Sequence, residues 1–150
     1  MVAVRRVSVD RGPLGSLTGG MTRTSRVLRD RTTLAVMSKP VGPYTPIVRG
    51  GDLLFTAGQV GIADGAIVEG GLVAELRQVF VNLRSVLSSA DASLNDVVKT
   101  TVFLTDMNDY AAMNEIYMEE FGDHRPARSA VAVKELPLGA KIEIEAIAAV

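Results

Sequence analysis

Hydrophobic and polar positions change their period along the chain, and each change marks an element. Ile47-Val48-Arg49 opens a strand, and Gly50-Gly51-Asp52 carries a hairpin-turn signal. Residues 53–60, Leu53-Leu54-Phe55-Thr56-Ala57-Gly58-Gln59-Val60, predict a buried strand. Within it, Gly58 marks a bulge or the close approach of a ligand or another backbone. Asp64-Gly65 is a second turn signal, followed by the short run Ala66-Ile67-Val68. After Gly70-Gly71 the period becomes helical. Leu72, Leu76, Val79, Phe80, Leu83, Val86 and Leu87 share one stripe, which predicts a helix from 72 to about 90. Ser93-Leu94-Asn95-Asp96 predicts a turn. Residues 97–104, Val97-Val98-Lys99-Thr100-Thr101-Val102-Phe103-Leu104, are rich in β-branched side chains and apolar on both faces, which predicts a central strand covered on both sides. Asn108 suits the N-cap of a second helix, with Tyr110, Met113, Ile116, Tyr117 and Phe121 on its apolar side and Gly122-Asp123 as its stop.

Two further strands close the chain, over 125–133 and 141–150, separated by the turn Leu136-Pro137-Leu138-Gly139. In the first, Arg128, Ala130 and Ala132 share a face, and Ser129, Val131 and Val133 share the other. An arginine among alanines predicts an open space into which the guanidinium projects. In the second, Ile142, Ile144 and Ala146 form the apolar face, while Glu143 and Glu145 project the opposite way. One fixed cation, two carboxylates and small walls suggest a site for a small anionic ligand. The order β-β-β-α-β-α-β-β predicts an α+β fold, with two helices packed on one face of a mixed sheet. Two helices cannot wrap both faces of such a sheet, so the Arg128 and Glu143 faces call for a further cover. The simplest cover is another copy of the chain.

Composition narrows the chemistry. The 150 residues fit one domain of ordinary size and are 47% hydrophobic and 22% charged. No Cys is present, so there is no disulfide framework and no thiolate nucleophile or ligand. The single histidine, His124, argues against a His-rich metal site or a Ser-His-Asp triad; flanked by Asp123 and Arg125, it is expected in an exposed loop without a role. No apolar run is long enough to span a bilayer. The net charge of −1 hides an asymmetry: residues 1–36 hold seven Arg and two Asp, net +5, leaving net −6 for residues 37–150. The acidic body argues against nucleic-acid binding. Residues 1–36, with Gly and Ser/Thr clusters and no sustained period, predict a disordered basic leader. Their composition resembles an organellar transit peptide; the favoured expectation is a leader without function, ahead of a true start at Met37 or Met21, and a cytoplasmic protein. Residues 37–150 are expected to form a single domain.

Several stretches together resemble a known family. Gly42-Pro43-Tyr44, Leu54-Phe55-Thr56-Ala57-Gly58-Gln59, the run from Val97 to Leu104, Asn108-Asp109-Tyr110, Pro126-Ala127-Arg128-Ser129 and Ile142-Glu143-Ile144-Glu145-Ala146-Ile147-Ala148 are similar, in order and approximate spacing, to the reactive-intermediate deaminase (RidA, or YjgF) family. The resemblance covers residues 38–150 and excludes the leader. It implies a chorismate-mutase-like fold, a homotrimer with sites between subunits, and hydrolysis of reactive 2-imino and 2-enamino acids to 2-keto acids and ammonia without metal or organic cofactor. Carried over residue by residue, it puts the carboxylate-binding arginine at Arg128, the acid that handles water or proton at Glu143 and the pocket tyrosine at Tyr44. Asn114 and the Gly58 backbone follow as further pocket groups. The chain departs from the family at Ala57, where Ser is frequent, at Ala130, where Cys is frequent, and in a short loop after Gln59. These changes bear on substrate range.

The chemistry is consistent with those residues. A guanidinium offers two parallel hydrogen bonds to a carboxylate and keeps its charge. A partly buried glutamate orients water and shuttles a proton. The ordinary alternatives are an ion pair of Arg128 with Glu143, Glu145 or an acid of a neighbouring subunit, a solvent-facing or ion-paired Glu143, a packed Tyr44 and a Met113/Tyr117 stripe that is simply core. Two other functions compete: a non-catalytic sensor binding a small 2-keto or amino acid in the same cleft, and RNA cleavage or translation inhibition.

Overall fold

The computed structural model describes residues 42–150; the basic leader at 1–36 lies outside them. A six-stranded mixed sheet runs in the order β1-β2-β8-β6-β7, with β3 also paired to β8. The strands are β1 (Ile47–Gly50), β2 (Leu53–Thr56), β3 (Gln59–Val60), β6 (Val97–Leu104), β7 (Ala127–Ala132) and β8 (Ile142–Ala149). Among the described residues only the β6–β7 pair is parallel, and the helix between these strands makes the required crossover. A small separate hairpin joins β4 (Ile62–Ala63) to β5 (Ala66–Ile67).

The helices are α1 (Gly71–Ser88) and α2 (Tyr110–Phe121). Every residue of the apolar stripe read in α1 is buried, and Met113, Ile116, Tyr117 and Phe121 of α2 join the same core. Phe80 meets the Tyr117 and Phe121 rings edge-on, with centroids 5.9 and 5.6 Å away. Opposite them lie Leu54, Thr100, Val102, Leu104, Ile142, Ile144, Ala146 and Ala148, the alternate positions of β2, β6 and β8. The exposed ion pairs Arg77–Glu119 and Arg84–Glu120 also link α1 to α2, and pairs of this kind contribute little.

Four local expectations need correction. The strand expected over 53–60 breaks at Ala57-Gly58 into β2 and β3; the Ala57 N–H still bonds the Pro46 carbonyl in the β1–β2 register before the chain leaves it. The run at Ala66 does not join the main sheet but forms the β4–β5 hairpin. Asn108 is not the cap of α2: the Asp106 carboxylate accepts the Asn108 N–H, and a short 3-10 turn, Met107–Asp109, leads into the helix. β6 is central, between β8 and β7, but only one of its faces is covered in the single chain, and Val98 stays 45% exposed.

Among the described residues, no helix covers the other face of the sheet. Val48, Leu53, Phe55 and Val131 stand exposed on it, beside Lys99, Thr101, Phe103, Glu143 and Glu145. This face therefore mixes exposed apolar side chains with charged ones and is left open by the described residues.

Candidate active site

Strand register decides where each candidate side chain points. Arg128 on β7 lies opposite Thr100 on β6, and Thr100 lies opposite Ala146 on β8. Thr100 and Ala146 are both buried under the helices, so Arg128 projects to the helical side. Glu143 lies opposite Phe103, on the open side. In one chain, therefore, Arg128 and Glu143 stand on opposite faces of the sheet.

The space expected above Arg128 is occupied by α2. One terminal guanidinium nitrogen donates to Asn114 Oδ1 at 2.7 Å and to the Tyr110 hydroxyl at 3.2 Å. The other approaches the Met113 sulfur at 3.6 Å. The guanidinium carbon lies 4.6 Å from the centroid of the Tyr117 ring and 5.6 Å from that of Tyr110. Every one of these partners is neutral. Among the described residues, no carboxylate comes within ion-pairing distance of Arg128, so the expected alternative of an intrachain pair with Glu143 or Glu145 does not occur. A half-buried cation held only by neutral groups is set to receive an anion.

Tyr117 is itself fixed. Its hydroxyl shares a 2.6 Å hydrogen bond with Thr100 Oγ1. Burial pushes its phenol pKa up, against smaller opposing effects from Thr100 and Arg128, so Tyr117 is a neutral ring at physiological pH.

Glu143 forms a second cluster. Gly58 packs directly against its carboxylate, and a Cβ at that position would fall within the space of Glu143 Oε1. Gly58 does not have a left-handed backbone, so the glycine is needed for room rather than for conformation. Asn82 of α1 holds the adjoining backbone in place, donating from Nδ2 to the carbonyls of Val60 at 2.9 Å and Ile62 at 3.0 Å. Burial raises the Glu143 pKa from its ordinary value, and repulsion from Glu145 raises it further. A carboxyl group in that state can hold a proton and release it.

The remaining predicted residues divide between these clusters. Asn114 belongs with Arg128 and spends its oxygen on it. Tyr44 stands in the loop before β1, 49% exposed, joined to neither cluster by a hydrogen bond among the described residues. His124 is not the free loop residue expected: a ring nitrogen lies 2.6 Å from the Val97 carbonyl, tying the approach to β7 to the start of β6. Tyr110, Tyr117 and Thr100 went unrecognised in the sequence, since Tyr117 reads as core and Thr100 as strand. Among the described residues, no three carboxylate or imidazole groups converge as they would around a metal ion.

Comparison with known proteins decides the family. A family profile described as Endoribonuclease L-PSP matches residues 35–150. The chain belongs to the reactive-intermediate deaminase family. A RutC family protein of Pyrococcus horikoshii is 52% identical over 112 residues, covering 73% of this chain and 89% of the relative. The Schizosaccharomyces pombe protein mmf1, named as mitochondrial, is 46% identical over 110 residues, covering 71% and 68%. A Mus musculus 2-iminobutanoate/2-iminopropanoate deaminase is 41% identical over 126 residues, covering 83% and 93%. Among solved structures, RidA from a Psychrobacter species superposes with a TM-score of 0.72 at 38% identity, covering 75% of this chain and 92% of that one. The α+β architecture, a mixed sheet with two helices, is that of the reactive-intermediate deaminases.

Proposed function

We propose that this chain hydrolyses 2-imino and 2-enamino acids, such as 2-iminobutanoate and 2-iminopropanoate, to 2-keto acids and ammonia, in sites shared between copies of a homotrimer. The observation that carries this reading is Arg128, a half-buried guanidinium without a carboxylate partner among the described residues. The mouse relative's name supplies the reaction class. Arg128 takes the substrate carboxylate. Glu143 orients water against the imine carbon; the carbon–oxygen bond forms as the nitrogen gains a proton. Collapse of the resulting carbinolamine breaks the carbon–nitrogen bond, and ammonia leaves with the keto acid behind. A raised Glu143 pKa suits the proton transfers. Tyr44 and the Gly58 backbone complete the pocket, and no metal or organic cofactor enters any step.

Opposite-face placement makes a second copy necessary. The apolar open face, with Val48 at 53% and Phe55 at 43% exposed, is the surface that the neighbours cover. Packing copies around it brings the Glu143 side of one chain to the Arg128 edge of the next. We place the reaction in the cytoplasm, and the mitochondrial name of one relative supplies the rival location.

The test is an imine-trapping assay. An amino-acid oxidase generates 2-iminobutanoate beside semicarbazide, and the native protein lowers semicarbazone formation. Arg128→Ala and Glu143→Ala do not lower it. Unchanged trapping by native protein across several amino acids rejects the reading. Ribonuclease action, which the family profile's description names, is the second reading; the net charge of −6 over residues 37–150 opposes it. RNA breakdown that survives Arg128→Ala would favour it.

A further inference from the structure

We infer that Tyr117, seated by Thr100, is the positioning residue that sets the plane of the Arg128 guanidinium for its ligand. This rests on the reading above that Arg128 binds the substrate carboxylate.

The argument starts from the donors a carboxylate needs. A guanidinium has five N–H groups, and a two-point grip on a carboxylate, end-on or side-on, draws on a fixed pair of them. Asn114, Tyr110 and Met113 approach Arg128 through those same N–H groups. Asn114 and Met113 orient the fork only by occupying it; Tyr110 occupies it too, and its ring centroid lies farther off, at 5.6 Å. Tyr117 differs, because the guanidinium carbon lies 4.6 Å from its ring centroid. A ring face attracts the cation electrostatically while using none of its N–H donors and adding no opposing net charge. Of the two rings, Tyr117 is the nearer and the one that takes no hydrogen bond from Arg128, so its contact can persist as the carboxylate arrives.

The ring can act as a platform because it cannot turn. Tyr117 is 5% exposed, its ring wedged between Phe80 and Phe121, with the latter centroid 4.6 Å away. Its hydroxyl is pinned to Thr100 Oγ1 at 2.6 Å, and Thr100 is 1% exposed. Thr100 is also the residue paired with Arg128 across β6 and β7. The strand that carries the arginine's backbone partner thus also fixes the surface under the arginine's head. Thr100 and Tyr117 act through Arg128 and are not themselves catalytic residues.

The experiment compares Tyr117→Leu, Tyr117→Phe, Thr100→Val and Thr100→Ser in the full-length assembled protein. It measures kcat and KM in the imine assay and the affinity for 2-oxobutanoate by calorimetry. Tyr117→Leu, which removes the ring, raises KM and the 2-oxobutanoate dissociation constant about three- to thirtyfold with kcat little changed. Thr100→Val, close to threonine in shape, gives a smaller rise of the same kind, and Thr100→Ser restores native values. A merely structural role would lower the active fraction, and hence kcat, at constant KM. If Tyr117→Leu does not fold, the Val/Ser contrast at Thr100 decides. Native affinity in both folded Tyr117→Phe and Thr100→Val, with Arg128→Ala unable to bind, overturns this inference alone. Native affinity in Arg128→Ala overturns the carboxylate-binding reading and this inference with it.

Discussion

Gly58 matters for the side chain it lacks. Its backbone lies against the Glu143 carboxylate, and even a methyl group there would claim the same space. Gly58→Ala should therefore leave the fold intact while swinging Glu143 aside, lowering kcat by about tenfold to a hundredfold. Imine turnover and a melting curve on the same preparation check this; native turnover in a folded variant would refute it. The sequence marked Gly58 as a place of close approach, but not what approaches. That visitor is a side chain 85 positions further on, brought there by pairing of β3 with β8. Arg128 was legible for a similar reason, as a charge among alanines. Its surroundings were not. Alternation along a strand says which residues share a face, and only the helices' final position says which face is covered.

Among the elements, α1 and β6 were plain because each carries a long, uniform period. The short pieces around 57–67 were harder, since two-residue strands hold too few positions to show any period. Their placement comes from contacts with α1. A Cβ on Gly61 would lie 2.6 Å from Glu75 Cα, so the hairpin backbone rests directly on the helix. Glu75 in turn, only 4% exposed, accepts the Lys141 N–H at 2.7 Å and anchors the start of β8 two residues before Glu143. Gly61→Ala should push the hairpin off α1 and destabilise the protein by about 1–3 kcal/mol. Denaturant titration measures this, and a midpoint equal to the native one would count against the contact. The entry to α2 shows how near neighbours compete: Asn108 and Asp106 are both good caps, and the carboxylate two residues earlier takes the role.

At the scale of the whole molecule, the decisive fact is that the sheet separates the Arg128 cluster from the Glu143 cluster. The sequence indicated that a cover was missing and that a second copy was the simplest one. It also placed both candidate side chains on the uncovered side; Glu143 stands there, while Arg128 points under α2. If sites form between chains, two inactive variants can complement each other. Arg128→Ala and Glu143→Ala chains, unfolded together in equal amounts and refolded, should regain about a quarter of native activity, because half the chains can supply Arg and half can supply Glu. Each variant refolded alone should stay inactive. Absence of any recovery in verified mixed assemblies would mean that a site draws both groups from one chain.

If the site is divided between copies, as proposed, its chemistry is also tied to abundance. Below the concentration at which copies stay together, each chain carries a grip without a proton donor and a proton donor without a grip. Dilution then silences the reaction with every residue intact, and turnover per chain falls as the protein becomes scarce.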